Sequence, residues 1–271
     1  MPRGVGLNWV YDEARLQGRL WTPILARPQL YVDSLAEGNI LDSSGYLVIP
    51  NLGTVGSSFT RGANVATKQF IFPQNQLPCF HKDNSNASGY PLGISYSLQP
   101  ASGFSAYFFG ATAVGQYIVN LSQFNLANSM LLAANNTASF GIGLYDGSWR
   151  ARSLSTQTSL DNRRVIMSQR KSSSSSSSFI DTYLSDYRAA TVQQSIACNS
   201  FLASATTVGF LGYASGTSNT LCKCFAVLHF QRMLSDYEDN LILGWGAWQF
   251  GYQDLLPVTH PFAIRPPLIG D

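Results

Sequence analysis

The sequence predicts an all-β domain closed by one short C-terminal helix. Two observations carry that expectation. Short apolar or alternating runs, separated by Gly, Ser, Asn and Asp, recur along most of the 271 residues, which is the pattern of strands and turns. A clear helical period with a start and a stop signal occurs between Ser235 and Gly251. Hydrophobic residues make up 45% of the chain, enough for a sizeable core, and all-β sandwiches of this length often form one unit.

The strand candidates come first in the chain. "YLVIP" at 46–50, "QFIFP" at 69–73 and the run at 105–121 contain strands. "SFGIGLYDGSW" puts Phe140, Ile142 and Leu144 on one face before a turn at Asp146-Gly147. Ile180, Thr182 and Leu184 share a face, and "TVGFLGY" follows at 207–213. In "CKCFAVLHF", Cys222, Cys224, Ala226, Leu228 and Phe230 point to the core side. His229 is expected with Lys223 on the opposite, surface face. Seven serines, 172–178, lie between the strand-like "RRVIMSQR" and "FIDTYL". Neither flank reads as a complete domain, so the run is expected at the tip of a hairpin and not in a linker.

The helix is written in its ends. Ser235 is an N-cap and Glu238 stands three residues on, forming a capping box. Asp236, Glu238 and Asp239 favour the positive end of the helix dipole. Tyr237, Leu241, Trp245 and Trp248 recur as one apolar stripe, and Gly251 is placed to close the helix. Gly244 and Gly246 each lower helix propensity by about 1 kcal/mol, which predicts close packing against a sheet.

Composition narrows the function. Charged residues are 12%, about half the usual share of roughly 25%. Either partner subunits cover much of the surface or the chain is a Ser- and Asn-rich β protein of ordinary low charge. Net charge is +2, and no basic run exceeds Arg163-Arg164 and Arg170-Lys171, so a nucleic-acid footprint is not expected. No apolar stretch reaches the length of a membrane span, and the N-terminus has no continuous apolar region of a signal peptide. Cys79, Cys198, Cys222 and Cys224 lack zinc-site spacing and read as buried thiols.

The closing segment "FAVLHFQRMLSDYEDNLILGWGAWQFG", with "LLPVTHPF" after it, resembles the end of laminin-G-like, concanavalin A-like domains of bacteriophage and bacterial surface proteins. The matching residues are Ser235, Glu238, Gly244, Trp245, Trp248, Gly251, His260 and Pro261. "LWTPILARPQLYVDS" and "IPNLGTVGSSFTRG" resemble the opening strand and turn of those domains. Gln249 stands where Lys is common, and Ser185-Asp186-Tyr187 replaces the usual Asn-Gly turn. The resemblance implies a two-sheet antiparallel jelly-roll sandwich, concanavalin A-like, over residues 29–262. An N-terminal arm, 1–28, precedes it and an extended tail, 263–271, follows.

Chemistry is sparse. Glucanases on this fold use closely spaced paired acids. The chain has three glutamates, Glu13, Glu37 and Glu238, and no strand carries two acids at i, i+2. There is no G-x-S-x-G elbow, P-loop or dinucleotide fingerprint. His81 and His260 read as structural residues, and the sequons at Asn86, Asn120 and Asn135 read as chance. The loops "HKDNSNASGY" (81–90) and "LYDGSW" (144–149) could give calcium a few oxygens but lack EF-hand spacing, so no metal or other cofactor is assigned. Aromatics near loops are the candidates for stacking on sugar rings: Tyr90, Trp149, Tyr183, Tyr187 and Tyr213, with Tyr107 beside them. In the arm, Trp9, Tyr11, Arg15, Arg19 and Trp21 form a candidate assembly element; its aromatics need either a neighbouring subunit or their own domain to bury them.

The resemblance, the missing signal peptide, the low charge and the two ends together lead to the expected function. This is a non-enzymatic bacteriophage virion structural protein, in capsid decoration or a tail, made in the host cytoplasm. Its expected partners are other virion proteins, further copies of itself and host-surface glycan, with neither nucleic acid nor membrane among them. The alternative is a free carbohydrate-binding module of a bacterial surface system; a glycoside hydrolase stands third.

Overall fold

Strand-forming runs and turn residues give 17 strands in the computed structural model, which describes residues 19–41, 47–56, 58–61, 67–72, 77–82, 92–98, 103–111, 119–120, 129–135, 139–145, 149–153, 164–172, 177–184, 196–197, 205–210 and 223–271. The first nine are β1 (Leu30–Asp33), β2 (Ile40–Leu41), β3 (Leu47–Pro50), β4 (Ser58–Arg61), β5 (Thr67–Phe72), β6 (Leu77–Lys82), β7 (Leu92–Leu98), β8 (Gly103–Ala111) and β9 (Val119–Asn120). The rest are β10 (Ser129–Asn135), β11 (Ser139–Tyr145), β12 (Trp149–Ser153), β13 (Arg164–Ser172), β14 (Ser177–Leu184), β15 (Ile196–Ala197), β16 (Ala205–Phe210) and β17 (Lys223–Phe230). One α-helix, α1 (Asp236–Gln249), follows them among the described residues.

Every pairing among these strands is antiparallel. One sheet runs β15-β14-β13-β8-β17-β6-β5, with β1 also paired to β17. Strand β6 meets β17 at Lys223 and Cys224, and β1 takes the stretch from Ala226 to His229, so the two share one side of β17. The other sheet runs β12-β11-β10-β9-β16-β7-β4-β3-β2. Strand β12 lies against β15 at one margin and β3 against β5 at the other, so the sheets stack as a two-sheet jelly-roll sandwich.

The serine run sits inside a hairpin. β13 and β14 pair from Val165↔Leu184 to Lys171↔Ser178, so Ser172 ends one strand and Ser177 opens the next. Strand β13 also pairs along its whole length with β8. A linker would not be flanked on both sides by strands of one sheet.

The centre of the first sheet is buried on both faces. All of β8 is buried, as are Val165–Arg170 of β13 and Cys224–Phe230 of β17. Alternation sends Tyr107, Phe109, Ile166, Leu228 and Phe230 to the helix side, where they join one core cluster with Trp245 and Phe250. Phe104, Phe108, Val165, Met167 and His229 take the opposite side. His229 therefore has no surface face, contrary to the sequence expectation. It is 1% exposed, its ring lies 6.4 Å from Phe104 in a stacked arrangement, and burial pushes its imidazole down to about 3. Alternation separates two faces of a strand; it does not say which is wet. Cys79 and Cys224 are buried thiols, as expected, while Cys198 and Cys222 lie outside the described residues.

Helix α1 has the ends its sequence announced. The Ser235 hydroxyl accepts from the Glu238 N–H at 3.3 Å, and the Glu238 carboxylate accepts from the Ser235 N–H at 3.0 Å. At the other end Gly251 takes φ 71°, and the Tyr252 N–H donates to the Ala247 carbonyl at 2.6 Å, the bond of a Schellman motif. The stripe is broader than expected. Residues 241–248 are buried all round, while Tyr237 is 52% exposed and falls outside it. The reason is that the helix is covered twice, by the first sheet and by the closing segment 252–271. A Cβ on Gly246 would run into the Phe109 ring of β8, as predicted for a sheet contact. One on Gly244 would come within 2.7 Å of Phe262, so that glycine accommodates the closing segment and not the sheet.

Polar groups pin the start of the helix to the sheet. Arg170, its side chain 5% exposed, reaches Asp236 at 2.8 Å, Asp239 at 3.4 Å and the Leu234 carbonyl at 3.2 Å. The Tyr107 hydroxyl donates to Asp239 at 2.6 Å, and the Leu234 N–H donates to the Ser105 hydroxyl at 2.8 Å. Among the described residues no helix is long and apolar enough to cross a membrane.

Candidate functional site: an aromatic cavity beside the helix

The cavity arises where the two ends of the described domain meet. Leu20 bridges Leu268, the Trp21 N–H donates to the Pro267 carbonyl at 3.1 Å, and the Ile269 N–H donates to the Arg19 carbonyl at 2.8 Å. This short clamp lies across β1 and the last turns of α1. Strand β1 is fixed by Asn51, whose side-chain oxygen accepts from Tyr31 N–H at 2.8 Å and Gly53 N–H at 3.1 Å. The Asn51 amide donates in turn to the Gln29 carbonyl at 3.1 Å. Asn51 thus replaces ladder bonds that β1 would otherwise lack on that side.

Between clamp, strand and helix lies a cavity of about 510 Å³, within the range of ligand pockets. Trp21, Tyr31, Trp245 and Trp248 line it, all less than a tenth exposed. Tyr31 and Trp245 meet edge to face, with centroids 5.7 Å apart, so the two rings make a right-angled corner. Trp248 is held by its indole N–H, which donates to the Phe262 carbonyl at 2.8 Å. Ile24, Leu25 and Ile269, each more than half exposed, form an apolar rim, and Thr22 and Gln249 add polar atoms.

Asp33 is the charged residue of the lining. It is 6% exposed, and its oxygens accept from the Leu35 N–H at 2.9 Å and the Tyr31 hydroxyl at 3.0 Å. Burial outweighs those two donors and pushes the carboxyl up to about 6. A carboxylate has about four acceptor positions. Two are taken here, and the rest can serve a guest.

The residues singled out from sequence are placed differently. Trp149 opens β12, an edge strand, opposite Tyr145; Tyr183 lies in β14 opposite Ile166. Because β12 lies against β15 and β15 pairs β14, both strands belong to one margin of the sandwich, away from the cavity's elements. Tyr107 is buried and spent on Asp239. Tyr90, Tyr187, Tyr213, Trp9, Tyr11 and Arg15 lie outside the described residues, as do 83–90 and 146–148 of the two calcium candidates. Among the described residues no group of three His, Cys, Asp or Glu is gathered to hold a metal.

Arg19 is exposed beside the clamp, and Trp21 packs back on its own domain, the second of the two fates open to it. The tail is not extended: Pro266 and Pro267 are buried, and Arg265 and Asp271 close on each other at 2.7 and 2.8 Å. His260 packs the closing segment down as expected, accepting at Nδ1 from the Phe262 N–H at 3.2 Å while Pro261 stays exposed. Sequence reasoning missed Tyr31 and Asp33, reading "LYVDS" as an opening strand. The available signal was their i, i+2 spacing, which puts hydroxyl and carboxylate on one face.

No protein-family model and no curated protein matches the sequence. Solved structures share its fold. The binding domain of Paraclostridial Mosquitocidal Protein 1 superposes with a TM-score of 0.55 at 10% identity, over 81% of this chain and 52% of that one. A Trypanosoma rangeli sialidase in complex with sialic acid gives 0.49 at 10% identity, over 93% and 39%. A botulinum neurotoxin type C structure, described by its entry through two ganglioside molecules, gives 0.44 at 12% identity, over 82% and 52%. The chain spans about half the length of the first of these.

Proposed function

We propose that this chain is a non-enzymatic glycan-binding module on a jelly-roll sandwich, and that the cavity between the terminal clamp and helix α1 is its binding site. The observation that carries the reading is the lining itself. Four aromatic residues surround one buried carboxylate, the combination that stacks on a sugar's apolar face and accepts from its hydroxyls. Glycoside hydrolysis uses two carboxyl groups across the scissile bond, whereas this lining supplies Asp33 alone. The test is a glycan array probed with the intact chain and with Leu25→Asp, a rim change that leaves the core alone. Binding to a defined set of glycans that drops at least tenfold in the variant, with an unchanged melting temperature, is the expected result. Binding that ignores the rim substitution would refute this location.

A second reading, a structural protein of a phage virion, is favoured by the apolar surface near the clamp. Ile24, Leu25 and Ile269 are joined by Ile264 at 78% and Val258 at 95% exposure. Exposed aliphatics gathered at one end of a domain suit a protein partner. Light scattering on the full chain and on a version lacking residues 1–18 tests it. A defined oligomer that becomes monomeric on truncation supports assembly through the arm, and two monomers refute it. The cut falls before Leu20 and Trp21 because these belong to the clamp.

A further inference from the structure

We infer that the anchoring group of the ligand is an ammonium seated on Asp33, so that the sugar recognised is a hexosamine with a free amino group and anionic sugars are turned away. This rests on the glycan reading and adds its selectivity. The lining contains Asp33 and no Lys, Arg or His, so the field inside the cavity is negative. A sugar carboxylate brought beside Asp33 would meet a like charge with no cation to offset it.

An ammonium gains twice in the same position. It donates to a desolvated carboxylate whose existing donors, the Leu35 N–H and the Tyr31 hydroxyl, leave acceptor capacity over. It also lies among Trp21, Tyr31, Trp245 and Trp248, rings whose faces attract cations more strongly where water is excluded. Burial already holds the Asp33 carboxyl at a raised pKa, and a cation at this spot relieves that penalty directly. A neutral hydroxyl offers the weaker, uncharged hydrogen bond.

Calorimetric titration of the intact chain at pH 7.5 with glucosamine, N-acetylglucosamine and N-acetylneuraminic acid, repeated with Asp33→Asn, tests this. Glucosamine should bind about tenfold or more tightly than N-acetylglucosamine, because acetylation removes the charge and keeps the ring. N-acetylneuraminic acid should not bind, and the glucosamine preference should vanish in D33N. Equal affinity for the two glucosamine forms, binding of the acidic sugar, or a preference that survives D33N would overturn the inference. The comparison among the three sugars on the parent chain stands even if D33N folds poorly. Benzyltrimethylammonium, a cation without a sugar ring, separates the two claims. If it binds through Asp33 while no sugar does, the glycan reading fails and the cationic anchor stands. If neither it nor any sugar binds, the anchor is refuted.

Discussion

Replacing Gly246 by Ala sets two known effects against each other. In an exposed helix the change stabilises by about 1 kcal/mol, because glycine is the poorer helix former. In this helix the added methyl would overlap the ring of Phe109. That ring is 0% exposed and has little room to move, since Trp245 lies 5.7 Å away on one side and Phe250 5.9 Å away on another. Overpacking of this kind destabilises by about 1–3 kcal/mol, and a ring held by two others belongs at the upper end. The expected net loss is about 1–2 kcal/mol, read as a lower urea midpoint at unchanged slope. Phe109→Leu removes the clashing atoms, so the double variant should lose less than the sum of the single ones. A Gly246→Ala protein more stable than the parent, or strict additivity with Phe109→Leu, would refute the close approach.

Three further outcomes follow from the described contacts. Arg170→Met leaves Asp239 buried with its guanidinium partner gone, and should destabilise by about 3 kcal/mol or more; Asp236→Asn, at the far, 91% exposed end of the same arginine, should change midpoint little. Ser235→Ala removes the helix cap and should lower stability by about 1 kcal/mol in the same titration.

The pH dependence has two opposed arms. Asp33, raised from 3.8 to about 6, contributes stability that is full below pH 3.8 and is lost as pH rises through 6. Melting curves should therefore show D33N gaining on the parent by about 3 kcal/mol between pH 3.5 and 7.5. His229 works the other way: with its pKa lowered to about 3, its contribution is full above pH 6.5 and falls as the solution is acidified toward 3. An Asp33→Asn protein whose melting temperature tracks the parent at every pH would refute the desolvated carboxyl.

The helix was legible in the sequence because its signals are local. A cap and its partner sit three residues apart, and Gly251 follows the last apolar residue directly, so no knowledge of the rest of the chain is needed. The serine hairpin was legible for the same reason, since two strand patterns flank a short polar tip. His229 and Tyr237 were misplaced because period alone identifies faces. What covers each face depends on the closing segment and the opposite sheet, which are distant in sequence. The cavity was illegible on that ground too. Trp21, Asp33 and Trp245 belong to segments some two hundred residues apart, and a strand pairing, a helix and a terminal bridge must all form before they share a wall.

The bridge between Leu20 and Leu268 also determines how the domain would respond to force. Chain leaves the domain from both sides of this clamp at one place, so tension drawn through the two ends pulls its hydrogen bonds apart one after another. The sheets, whose pairings lie deeper in the domain, would be loaded only after the clamp had parted. Since Leu20, Trp21, Pro266, Pro267 and Ile269 all line the cavity, the first thing a tethered molecule would surrender under strain is the wall of its own pocket. A guest held there would be released before the sandwich itself was threatened.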